Sequence, residues 1–332
     1  MDMKRIDTIL ERQESINTNQ PVEANLPKYD IYAISSLRGG VGKTTLAYNL
    51  SFMTDNLLIV DTCPQGNLSE FLDIGHEYIE GYETDERKAV YDMIVPYFVT
   101  GLNKLDHVAA KVRNKYFREK NSYLIPSSEQ LYMFPSQFYG AIVQTDHIQA
   151  KKKQEALNNM LYSLRTELER EMGENKLNKC LIDCSPFIAG ATKLAWYGAD
   201  SLIVPIRPDG QSIKSLELMM RMLTNLKNEV KGYLGKNEIK VPKIQMVVLT
   251  HCDYNEPENQ IIIEKLYTIL CKNKELLSTN IPENHLVMVD DFNKLGLIET
   301  PIDLLKIKGS SQNLSNIIKN QLNFISSQLW KS

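Results

Sequence analysis

Hydrophobic positions along the 332-residue chain fall into two kinds of run that alternate. Short, nearly unbroken apolar runs occur at 31–34, 56–60, 123–125, 180–182, 201–206, 244–250 and 286–289. Several lack the polar alternation of a half-exposed strand, which predicts strands covered on both faces. Between them, apolar residues recur every three or four positions. The segment 154–172 carries Leu157, Met160, Leu161, Leu164, Leu168 and Met172 on one stripe, and 212–227 carries Ile213, Leu216, Met220, Leu223 and Leu226. This alternation predicts an α/β fold, a mostly parallel, doubly wound sheet flanked by helices and joined by right-handed crossovers.

The ends of the chain extend the pattern. Residues 3–17 put Met3, Ile6, Ile9, Leu10 and Ile16 on one helical face, and a polar stretch with Pro21 and Pro27 follows. A helical arm with a linker is expected over 1–28, ahead of one domain over 29–332. The arm could dock on its own domain, swap to a partner or touch a ligand. The region 75–122 breaks the alternation and reads as a helical insertion, helical in part. The last segment, 312–330, aligns Leu314, Ile317, Ile318, Leu322, Ile325 and Leu329, the signature of a core-packing terminal helix. A membrane-surface helix would need more basic residues on its polar face than Lys319 and Lys331.

The first apolar run leads directly into Arg38-Gly39-Gly40-Val41-Gly42-Lys43-Thr44-Thr45. A strand feeding a glycine-rich loop that ends in Lys-Thr at the start of a helix is a phosphate-binding loop. Glycines let successive N–H groups turn inward on phosphate oxygens, and the helix N-terminus faces the same anion. Lys43 is placed for the β- and γ-phosphates, and the Thr44 hydroxyl for Mg²⁺. The usual loop has glycine six residues before the lysine; here that residue is Leu37, and a cation, Arg38, precedes the paired glycines. Arg38 could reach its own phosphate, a partner's phosphate, or solvent.

Bulk properties narrow the classes. A net charge of −3 gives no global basic field for nucleic acid, so any DNA contact needs a local patch. No run of 18 apolar residues and no signal-peptide pattern occur, which leads us to expect a cytoplasmic protein. The five cysteines, Cys63, Cys180, Cys184, Cys252 and Cys271, are scattered, as expected of reduced thiols.

Two further carboxylates end apolar runs, Asp61 after Leu57-Leu58-Ile59-Val60 and Asp183 after Cys180-Leu181-Ile182. Ligands of open parallel sheets bind beyond the carboxyl ends of the strands, so both should meet the loop and hold Mg²⁺ through its water shell.

With these motifs in place the sequence resembles the ParA/MinD/Soj superfamily of deviant-Walker ATPases, most closely ParA-type partition ATPases. Their loop reads Lys-Gly-Gly-x-Gly-Lys-Thr-Thr, matched by Arg38–Thr45 with Arg for the leading Lys. Their Asp-x-Asp-Pro-Gln-Gly-Asn is matched by Asp61-Thr62-Cys63-Pro64-Gln65-Gly66-Asn67, and their Ile-Asp-x-x-Pro by Ile182-Asp183-Cys184-Ser185-Pro186. Ala199-Asp200, Leu202-Ile203-Val204-Pro205 and Leu124-Ile125-Pro126-Ser127-Ser128 also match, so the resemblance covers roughly 30–305. It implies a switch in which two ATP·Mg²⁺-bound monomers pair face to face, with the leading cation, here Arg38, reaching across to the other nucleotide. It also implies slow hydrolysis stimulated by a DNA-bound adaptor protein, non-specific DNA binding, and a base contact near Asp253.

The chain departs from this pattern twice. The family's water-handling Asp is Cys63, a weak hydrogen-bonding group that is mostly protonated at neutral pH. Slow basal hydrolysis is expected unless Asp209, Asp253 or a partner residue substitutes. The family's DNA-binding arginines follow a late strand, where this chain reads Val289-Asp290-Asp291-Phe292-Asn293-Lys294. The best basic stretches are instead Lys111–Arg118, with aromatics interleaved, and Lys151-Lys152-Lys153. The main alternatives are a non-hydrolysing ATP sensor in a larger complex and a membrane-positioning ATPase resembling MinD.

Overall fold

The computed structural model describes residues 3–73, 88–99, 107–144, 150–234, 240–295, 300–305 and 311–331. Eight strands form one sheet: β1 (Ile31–Ile34), β2 (Leu57–Asp61), β3 (Ala110–Lys111), β4 (Ser122–Ile125), β5 (Lys179–Asp183), β6 (Ser201–Ile206), β7 (Lys243–Thr250) and β8 (Leu286–Val289). Their order is β3-β4-β2-β5-β1-β6-β7-β8. All neighbours are parallel except β3, which runs antiparallel to β4 at one edge. The predicted α/β class and mostly parallel sheet are therefore present, and each predicted strand lies within one or two residues of an observed one.

The helices are α1 (Met3–Asn17), α2 (Lys43–Met53), α3 (Asn67–Asp73), α4 (Val90–Val99), α5 (Phe134–Gln144), α6 (Ala150–Leu161), α7 (Ser163–Glu174), α8 (Thr192–Gly198), α9 (Gly210–Leu234), α10 (Pro257–Lys272) and α11 (Ser311–Ser327). Two apolar layers sandwich the sheet, and successive strand residues serve opposite layers. Ile31 and Ala33 join the layer formed with Leu164, Leu168, Leu216 and Leu223; Tyr32 and Ile34 join that formed with Leu46, Leu50, Leu322 and Ile325.

One expectation changes, and two regions gain detail. The single helix expected over 154–172 is two, α6 and α7, meeting at Tyr162. There the buried Ser163 hydroxyl donates to the Met160 carbonyl at 2.9 Å, a local bond that competes with the helical ladder. Within the expected insertion, residues 75–87 and 100–106 lie outside the described residues. The rest holds α4 together with β3 and the start of β4. Helix α1 packs on its own α11 and lies along the edge strand β8. The Gln13 amide donates to Met288 O at 3.0 Å and accepts from Met288 N–H at 3.1 Å, so a side chain satisfies backbone groups that an open edge would expose. Ile9 enters one apolar layer and Ile16 the other.

The terminal helix packs as expected. Ile318, Leu322 and Ile325 are fully buried. Among the described residues no helix is long and apolar enough to cross a membrane.

Candidate functional site

β1 is central, so the loop that follows it opens between the ends of β5 and β6. α2 begins at Lys43 with Gly42 as its N-cap, at φ 79°, and no side chain caps it. The left-handed conformation at Gly42 is one that L-residues avoid, and it turns the first helical amides toward the loop's concave side. Gly40, at φ 69°, repeats the requirement. Thr250, at the end of β7, holds this turn from behind: its hydroxyl lies 3.0 Å from both Val41 O and Ile206 O. Lys43 is buried, and its Nζ donates to Arg38 O at 2.8 Å, closing the loop over the space the amides face. Burial lowers the Lys43 pKa, and Asp183 opposes that shift.

Asp61 and Asp183 are paired directly across β2 and β5. Both are essentially inaccessible. Both Asp61 carboxylate oxygens are hydrogen-bonded: Oδ1 accepts from Cys63 N–H at 3.0 Å, and Oδ2 from Ser69 N–H and Oγ–H, each at 2.9 Å. Asp183 Oδ2 accepts from the Thr44 hydroxyl at 2.8 Å, whereas its Oδ1 is buried with no hydrogen-bond partner among the described residues. Burial pushes both carboxyl pKa values up, and the negative charge of Asp61 adds to the shift at Asp183. A buried carboxylate oxygen without a donor, a second carboxylate beside it and a threonine hydroxyl form an all-oxygen set suited to a hard divalent cation. The residues present thus fit Mg²⁺.

Cys63 is buried beside this pair, and burial, reinforced by Asp61 and Asp183, pushes its thiol above the ordinary value. The thiol therefore stays protonated at neutral pH. Its backbone is held by Ser127, whose hydroxyl donates to Cys63 O and whose N–H donates to Ser69 Oγ at 2.9 Å.

Arg38 is half-buried and turned toward α9. Its Nη1 pairs with Asp209 and donates to Ser212 Oγ at 2.9 Å. Asp209 also accepts from Gln211 N–H at 3.0 Å and Ser212 N–H at 2.9 Å, capping α9. Burial raises its pKa, but these amides and the Arg38 guanidinium outweigh that and hold it low. Asp209, one candidate substitute for the water-handling carboxylate, is thus committed to Arg38 and a helix cap.

Asp253 lies beyond β7, where its Oδ1 accepts from Asn255 N–H at 3.0 Å. Next to Thr250, His251 also approaches the loop on this side. The position for a Cβ on Gly42 lies 3.8 Å from its Cε1, and its Nε2 lies 3.1 Å from Asn293 Nδ2 and 3.4 Å from Asp291.

Sequence reasoning missed His251, the Arg38–Asp209 pair and Gly190. Gly190 has φ 52°, and a Cβ there would lie 2.6 Å from Thr62 O. Thr62 in turn bonds Asp183 O through its N–H at 3.0 Å and its hydroxyl at 2.8 Å. A glycine four residues after the Walker-B-like proline was the available signal.

A family model described as an AAA domain matches residues 29–236, more than half of the chain. The chain belongs to this family and is a ParA/MinD-type P-loop ATPase. The family member is similar to the chromosome partitioning protein ParA of Caulobacter vibrioides, 27% identical over 227 residues, covering 67% of this chain and 70% of that protein. It is also similar to the sporulation initiation inhibitor protein Soj of Bacillus subtilis, 24% identical over 194 residues, 57% of this chain and 63% of Soj. Among solved structures, a protein described as a plasmid partition protein of Borrelia burgdorferi B31, bound to AMPPNP, superposes with a TM-score of 0.54 at 17% identity. That match covers 90% of this chain and all (100%) of the other. A Cyanothece McdA variant in complex with ATP gives 0.53 at 17% identity over 92% and 98%. These two likenesses concern the fold.

Proposed function

We propose that this ATPase is a ParA-like switch that dimerises when it binds ATP·Mg²⁺ and acts in DNA segregation or plasmid partition. The observation that carries the reading is the convergence of the uncapped α2 N-terminus, Lys43 and the Asp61–Asp183 pair at one end of the sheet. Gly39, Gly40, Val41, Gly42, Lys43, Thr44 and Thr45 bind the phosphates. Thr44, Asp61 and Asp183 would hold Mg²⁺. Mg²⁺ held there would supply neutralising charge to the phosphates, and Lys43 supplies a second cation to them. Arg38 leaves Asp209 to reach the partner's nucleotide, and Asp253 lies on the base side. The naming of its relatives as partition proteins favours a DNA-bound adaptor as the stimulating partner.

A specific observation favours a second reading, an ATP sensor that hydrolyses little: the water-handling position holds a buried, protonated thiol. Single-turnover hydrolysis by the purified protein separates the two. No detectable hydrolysis supports the sensor, and slow but complete turnover supports the switch.

For DNA, the fold organises one of the two basic stretches. Lys111, Arg113, Lys115 and Arg118 are exposed while Val112, Asn114 and Phe117 between them are buried, so all four cations are open to solvent. None of the four pairs with a carboxylate among the described residues. Lys152 is exposed on α6, and the side chain of Lys151 lies outside the described ones. On this reading the protein works in the cytoplasm and joins the nucleoid when ATP-bound. Filter retention of duplex DNA with ATP should fall steeply between about 50 and 200 mM salt, as counterion release requires. Retention that ignores ATP and salt refutes the DNA-binding part of this proposal.

A further inference from the structure

The segment between β5 and α8 passes the phosphate-binding loop on its outer side. Phe187 N–H donates to Leu37 O at 3.2 Å, and Pro186 Cβ lies 3.9 Å from the position of a Cβ on Gly39. Phe187 is thereby fixed at the rim of the nucleotide site, beside the stretch that carries Arg38. Its backbone is left-handed, at φ 62°, and the residue is 64% exposed.

Two costs meet at this position. A bulky L-residue is strained in the left-handed region, and a phenyl ring left in water forgoes the gain of burial. Three of the other five non-glycine residues with positive φ are asparagines, Asn19, Asn25 and Asn56, which tolerate that region. Glycine or asparagine would hold the Phe187 turn with less strain. The monomer's own packing therefore does not account for phenylalanine here, and strain retained at a functional rim points to an interaction made elsewhere.

We propose that Phe187 is an apolar anchor of the ATP-bound homodimer, seated against the rim of a second copy when the two nucleotide sites close face to face. The inference rests on the dimeric-switch reading above. The occupant is a second copy because Phe187 is bonded to Leu37, one residue from Arg38. A face that lets Arg38 cross to the other nucleotide must also contain Phe187. Two-fold symmetry presents the ring twice, and buried aromatics near the centre of an interface carry a disproportionate share of its affinity.

The test uses the full chain with AMPPNP and Mg²⁺ in a sedimentation concentration series, for wild type, Phe187→Asn and Phe187→Leu. Phe187→Asn should weaken the dimer at least tenfold, leave nucleotide affinity within twofold, and not lower the melting temperature without nucleotide. Phe187→Leu should retain most of the dimerisation. A Phe187→Asn dimer within twofold of wild type overturns the inference and leaves the switch standing. So does an equal loss of nucleotide affinity, which would make Phe187 part of the nucleotide site. A wild-type protein that stays monomeric with AMPPNP overturns both.

Discussion

Replacing Asp183 with asparagine should make the nucleotide-free protein more stable and its nucleotide response weaker. In the folded chain Asp183 is buried opposite Asp61, and one of its oxygens has no donor among the described residues. Leaving such an oxygen unsatisfied costs about 1–3 kcal/mol. Two carboxylates on neighbouring strands about 5 Å apart repel by about 3 kcal/mol at an effective dielectric of about 20. Partial protonation relieves some of this, so a net gain of about 2 kcal/mol is expected for the Asp183→Asn variant, whose amide can still accept from Thr44 and can donate toward Asp61. At about 2–4 °C per kcal/mol, the melting temperature should rise by about 4 °C. With ATP·Mg²⁺ at a hundred times its Kd the wild type should gain about 2.7 kcal/mol, and the variant little of it. Thermal melts with and without ATP·Mg²⁺ therefore have their order reversed between the two proteins. A variant that melts several degrees below wild type without nucleotide, or that keeps the full ATP·Mg²⁺ shift, would refute the reasoning.

Other consequences follow from the same geometry. Cys63→Asp restores a carboxylate at the water-handling position and should raise steady-state ATP turnover about tenfold or more; an unchanged rate in a phosphate-release assay would remove Cys63 as the cause of slow hydrolysis. Gly190→Ala places a methyl group against Thr62 O in a left-handed turn. It should cost about 1–3 kcal/mol in urea unfolding and weaken ATP·Mg²⁺ binding through the Thr62–Asp183 link. Asp209→Asn keeps the α9 cap, because asparagine caps as well as aspartate, but removes the ion pair to Arg38. Stability should change by less than about 1 kcal/mol, as for other partly exposed pairs, while the freed Arg38 tightens the ATP-bound dimer several-fold in sedimentation. A weaker dimer would mean that Asp209 positions Arg38 and does not restrain it.

The central strands were legible because they are buried on both faces and read as unbroken apolar runs; Leu57–Val60 and Leu202–Val204 carry no competing signal. The loop stood out by its glycine spacing; Asp61 and Asp183, of a residue type common in turns, gained weight only because they end strands beside it. What escaped lacks a periodic signature. β3 is two residues long, and its pairing with β4 is a tertiary contact. The break at Tyr162 interrupts no apolar stripe, since Leu161 and Leu164 continue it into one layer. The edge-capping role of Gln13 needs β8 in place 275 residues away. The Arg38–Asp209 pair likewise spans 171 residues, and only the close passage of α9 beside the loop creates it. A helical stripe in the arm was visible, but which surface it would cover depended on the sheet having a free edge.

The oligomeric state of the full chain with ATP, with ADP and without nucleotide, for wild type and Arg38→Ala, tests the switch most directly. The account predicts a dimer only for wild type with ATP·Mg²⁺, and monomers in every other case. A dimer that forms regardless of nucleotide and survives Arg38→Ala would contradict it.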